Sequence, residues 1–211
     1  MLRIFILSLV AGLWLAVSTP TALAAGESDQ AGPAIDAALE QFLSGEGDAL
    51  VLLPNQLDKS KLDFSMESLQ EVDDWLLAVH TINKLEAGEG RVGETFTRDG
   101  RGDNTVIFAG LYLGEVVRLN AKQDWVWQAF ETFVATNPAH AQALGADAGL
   151  DQYVLVSEQG VSAPINTALK RVLNGKIDSV AYIATFLSEP VDLDKAMSGT
   201  DFSNMAPVAA Q

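Results

Sequence analysis

Apolar residues recur at three- and four-residue steps in several separate stretches of this chain, and at two-residue steps in a few short ones. From Pro33 to Ser44 the positions Ile35, Ala38, Leu39, Phe42 and Leu43 predict a helix, with Pro33 suited to its first turn and Gly45 just past its end. "ALVLLP" follows as a brief extended connector stopped by Pro54. The clearest helical pattern is "LDFSMESLQEVDDWLLAVHTINKLEAGEG": Ser65 is placed to cap it, and Met66, Leu69, Val72, Leu76 and Val79 form the stripe. Glu67, Glu71, Asp73 and Asp74 are assigned to the solvated face, where early acids also suit the positive end of the helix dipole.

Between Ala87 and Asn104 the composition turns to glycine and charge, which predicts a mobile surface loop. It contains the adhesion-type tripeptide Arg101-Gly102-Asp103, read here as loop composition, and Asp99, Asp103 and Asn104 lack the spacing of a calcium loop. Thr105 to Leu119 is then apolar on every side except at Glu115 and Arg118, the pattern of a helix in the middle of a fold. Gly110 and Gly114, four apart on one face, would let a neighbouring element come close. "DWVWQAFETFV" fits both periods, and a strand over Asp124 to Ala129 is preferred, with Asn137 and Pro138 opening a short helix that ends before Gly145. "DQYVLVSEQG" is the best strand, with Tyr153 and Leu155 on one face and Val154 and Val156 on the other. A helix pair follows, in which Pro164 opens the first, Asn174-Gly175 closes it, and Asp178 caps the second before Pro190. These elements predict a single α+β domain, with helices packed on a small, mainly antiparallel sheet.

The ends of the chain change the picture of where it works. Arg3, the apolar run Ile4 to Val17 and the small residues Ala22 and Ala24 predict a secretory signal peptide over residues 1–24. An uncleaved anchor is the alternative, but the run is short of the roughly twenty residues that a spanning helix needs. The expected organisation is thus a leader at 1–24, an N-terminal helix and connector at 25–61, an α+β core at 62–190 and a disordered tail at 191–211. With 13 basic against 28 acidic residues the net charge is −15, and loss of Arg3 makes it more negative still. Such a surface repels nucleic acid and anionic lipid, and it favours a protein partner or a small cationic ligand. The chain has no cysteine, which removes disulfides, thiolate metal sites, a catalytic thiol and an acylated anchor. The expected location is periplasmic or secreted, with no stable membrane insertion after leader removal.

Three segments, "LDFSMESLQEVDDWL", "AGLYLGEVVRLNAKQDWVW" and "APINTALKRVLNGKIDSV", in that order resemble a family of small bacterial domains of unknown function. Those domains pair a Gly-aromatic-x-Gly-Glu-Val helix with a tryptophan strand and a proline-led helix carrying Lys-Arg and ending in Asn-Gly. The resemblance spans about Leu62 to Phe186 and implies a compact α+β domain; some relatives look immunity-like or accessory. The leader and the longer segment between Trp127 and Tyr153 depart from that pattern.

Glu115 is the main chemical candidate. A buried charge costs several kcal/mol unless it is paired or used. On a helix Glu115 shares a side with Tyr112 and Arg118. Either it forms a structural pair with Arg118, or it faces a pocket walled by Trp125 or Trp127 and holds a cationic group or carries a proton. Tyr112, Arg118, Trp125 and Trp127 therefore accompany it as candidate binding residues. A hydrolase acting on cell-wall or glycan material would need a second acid, and Glu71, Asp74, Asp124 and Glu158 are equally eligible. His80, placed at a helix end, and His140 have no ligand-like neighbours in sequence, so no metal or other cofactor is assigned. Lys170-Arg171 is assigned to a solvated helix face. These features favour a binding or interaction protein, with the hydrolase as the alternative.

Overall fold

The computed structural model describes residues 31–88, 93–97, 99–138, 150, 152–158 and 160–189. The leader, His140, the short helix expected before Gly145 and the tail at 191–211 lie outside the described residues. The chain is a single, mostly helical α+β domain with one three-stranded antiparallel sheet.

Helix α1 (Ala31–Leu43) buries Ile35, Leu39 and Phe42, the stripe that its spacing predicts. The connector after it is not extended. It folds into short 3-10 turns, and it is pinned where the Leu52 amide donates to Thr105 Oγ1 and the Trp75 indole N–H donates to the Leu52 carbonyl. Helix α2 (Leu69–Ala87) starts about one turn later than Ser65 suggests: Ser65 Oγ instead accepts from the Ser68 amide in a separate turn. Just ahead of that turn Phe64 takes a left-handed conformation at φ 61°.

The glycine-rich stretch is more structured than its composition implies. Its described part holds the one-turn helix α3 (Glu94–Thr97), and the adhesion-type tripeptide is the first turn of helix α4 (Arg101–Asn120). Gly102 is there because the Phe96 carbonyl and ring occupy the place of a Cβ. Helix α4 is the axis of the fold, touching α1, α2, α3 and two later helices. Its side chains from Thr105 to Val117 are buried but for half-buried Ile107. Each fully buried Leu, Val or Phe contributes roughly 1.5–3 kcal/mol, which makes this helix a main source of stability.

Strand β1 (Val126–Ala129) runs directly into helix α5 (Phe130–Thr136), so the ambiguous tryptophan segment is strand first and helix second, and Asn137 ends α5. Strand β2 (Tyr153–Ser157) is central, pairing Leu155 with Trp127 on one side and with Ser162 of β3 (Gly160–Ser162) on the other. Alternation along β2 sends Leu155 into the main core and Val154 into a second cluster with Phe130, Phe133 and Ala163.

Helix α6 (Pro164–Asn174) opens on Pro164 and closes on Gly175 at φ 64°, as its sequence predicts. Gly110 of α4 meets this helix at Ile165, with no room for a methyl group. Helix α7 (Val180–Ser188) is capped by Ser179, whose Oγ accepts the Tyr182 amide, and not by Asp178, which accepts from the Asn174 side chain.

Candidate functional site at the end of helix α4

Glu115 lies five residues before the end of α4, and it is only 6% exposed. Gly114 beside it explains how the neighbourhood forms: the ring of Trp127 occupies the volume that a Cβ at position 114 would need. The indole therefore lies flat enough against α4 for Trp127 Nε1 to donate to Glu115 Oε2 at 3.1 Å. From the other side Arg118, three residues on, donates Nε to both carboxylate oxygens at 2.9 and 3.1 Å, and its Nη2 reaches Oε1 as well. Burial pushes the Glu115 carboxyl up, but the hydrogen bonds from Arg118 and Trp127 and the charge of Arg118 outweigh it and hold the group below its ordinary value. The carboxylate is thus ionised and fully engaged.

Two of the companion candidates point elsewhere. Tyr112 sends its hydroxyl to Ser68 Oγ at 2.7 Å and accepts the Phe64 amide at 3.0 Å, while its ring stacks on Phe64. Trp125 donates its indole N–H to the Leu187 carbonyl, fastening the end of α7. Glu115, Arg118 and Trp127 come together; Tyr112 and Trp125 serve neighbouring joints.

Beside this cluster is an open groove of about 450 Å³ between α1, the Phe64 turn and the end of α4. Leu39, Leu43, Phe64 and Leu119 give it an apolar floor, and Asp36, Glu40 and Glu115 supply carboxylates at its edge. None of Glu71, Asp74, Asp124 and Glu158 lines it. Glu71 is occupied with Lys61 at 2.9 Å and with the Asp58 amide, and Asp74 with the Gln70 side chain. Sequence reasoning missed Asp36 and Glu40, which read as ordinary exposed helix acids until α1 is seen to lie along α4.

Three further assignments, those of Asp73, Arg171 and His80, are corrected by the fold. Asp73 is not on the solvated face: it is 3% exposed and pairs with Arg171, itself 4% exposed, at 3.0 Å. Its carboxylate also accepts the Val180 amide at 2.9 Å and the Ser179 hydroxyl, while Arg171 donates to the carbonyls of Asp73 and Gly175. This joint ties α2, α6 and α7. His80 lies within α2 and not at its end, with Nδ1 2.7 Å from the Val172 carbonyl. Among the described residues no group of three His, Asp or Glu is gathered in a way that could hold a metal, and no helix is long and apolar enough to cross a membrane. No family model matches this chain, and neither a curated protein nor a solved structure matches it.

Proposed function

We propose that this chain is exported and acts as a binding or interaction protein of the bacterial envelope. The observation that carries the reading is the state of Glu115: the acid most suspect as a catalyst is already saturated by Arg118 and Trp127. A general acid at neutral pH needs a raised pKa and a proton to give, and the surroundings of Glu115 push the other way. A leader-like N-terminus and a net charge of −15 support a role outside the cytoplasm with a basic partner. The resemblance to immunity-like and accessory domains points the same way. The rival reading, a glycan hydrolase, draws on Asp36 and Glu40 at the edge of the groove that Glu115 also lines.

The test combines fractionation with activity. The full gene expressed in a Gram-negative host should deliver to the periplasm a protein whose N-terminal residue is Ala25, and that protein should retain a basic partner on affinity capture. A cytoplasmic product with Met1 intact overturns export. Hydrolysis of peptidoglycan by the purified chain, lost in Glu115→Gln without a fall in Tm, overturns the binding role.

A further inference from the structure

We propose that the groove between α1 and α4 is a docking site for a basic amphipathic helix of a partner protein, apolar side chains resting on Leu43, Phe64 and Leu119 and cations meeting Asp36 and Glu40. This deepens the binding role proposed above and rests on it.

Charge and shape choose the occupant. Asp36 and Glu40 are both exposed and stand four residues apart on α1, so their side chains emerge one above the other, about 5–6 Å apart. Lysines or arginines at the same spacing on a helix laid alongside would meet both at once. The Glu40 carboxylate has no ion-pair partner among the described residues, and the Asp36 carboxylate has only the longer-range attraction of Arg118, which is itself committed to Glu115. A cation entering here finds carboxylates that are not already spent.

The floor offers apolar surface. Leu119 is 54% exposed although it directly follows the buried helix axis. Phe64 is kept in the left-handed region, which a bulky side chain holds only if its surroundings insist. They do so here through three contacts: its amide donates to Tyr112 Oη, its carbonyl accepts from Asn120 Nδ2 at 2.8 Å, and its ring stacks on Tyr112 at 5.0 Å. The result is an aromatic side chain lining the groove between the leucines and the acids. A groove with anchors for apolar side chains and a charged edge is how an amphipathic helix is read.

The probe is a fluorescein-labelled peptide of leucine and lysine, patterned as an amphipathic helix of about 18 residues, or five turns. It is titrated by anisotropy against the purified full chain, with a leucine–glutamate peptide of the same pattern as control. The lysine peptide should bind saturably and the glutamate peptide should not. Asp36→Lys/Glu40→Lys should weaken binding by about tenfold or more, and Leu119→Asp should do so independently. Glu67→Lys/Glu131→Lys makes the same change of net charge on exposed residues away from the groove, and it should stay within about threefold of wild type. Circular dichroism confirms that each variant is folded. Equal losses in the two double variants, or none in the groove variant, overturn the site while leaving a binding role intact. No binding of the lysine peptide by the wild type overturns the site, and glycan turnover besides overturns the binding role as well.

Discussion

Replacing Glu115 by glutamine keeps the shape of the side chain and removes its charge. The wild-type carboxylate accepts from Arg118 on both oxygens and from the buried Trp127 indole on one. A hydrogen bond to a charged group contributes about 1.5–3 kcal/mol, and a neutral one about half of that. Arg118 has a side chain 40% exposed, so water takes over much of what it loses, and its share is discounted to about 0–1 kcal/mol. The Trp127 N–H is sheltered, and turning it from an ionic to a neutral bond costs about 1 kcal/mol more. The expected loss is about 1–2 kcal/mol, or a Tm lower by roughly 2–8 °C for a domain of this size. Urea unfolding followed by tryptophan fluorescence and circular dichroism measures it. The pH dependence adds a second check. Because the folded carboxyl lies below its ordinary 4.5, its contribution is fully present above that pH and is lost as pH falls through the folded value. The gap between wild type and Glu115→Gln should therefore be widest near neutrality and should close in acid. Equal stability at pH 7, or a gap that does not change down to pH 3, refutes the account of a neutralised acid.

Asp73→Ala should be harsher, costing about 3–5 kcal/mol, because it strands the 4% exposed Arg171 without its counter-ion; Asp73→Leu/Arg171→Met should recover much of that loss in the same urea assay. Gly110→Ala places a methyl group against the Ile165 backbone and should destabilise by about 1–3 kcal/mol or more, read as a lower urea midpoint. Gly114→Ala drives a methyl group into the buried ring of Trp127, so it should shift tryptophan emission to the red as the indole is displaced from Glu115. An unchanged spectrum would show that the indole does not depend on the glycine.

Most helices were legible because their apolar stripes are regular. The axis helix was visible as a run with apolar residues on every side, and Pro164 and Gly175 bound α6 as their backbone chemistry requires. The errors at Asp73 and Arg171 share a cause: a charged residue is assigned outward by type. Yet Asp73 stands between Leu69 and Leu76, four residues after the one and three before the other, and Arg171 falls three residues after Ala168, itself three after Ile165. A polar residue on an apolar row signals a buried pair, and that signal was available. Composition also misled at Gly102, where glycine makes room for Phe96 instead of loosening a loop. The groove was not legible, because it exists only where α1 and the end of α4 lie side by side, and nothing local in "AIDAALE" announces that neighbour.

The joint around Asp73 fixes when, as well as how, this chain can close. The backbone amide that its carboxylate accepts belongs to a residue 107 positions downstream. At ribosomal rates of about 5–20 residues per second, the donor arrives roughly 5–20 s after the acceptor. Until then α2 carries an unanswered acid on the side where α6 and α7 will settle, so this joint closes only after nearly all of the described chain has been made.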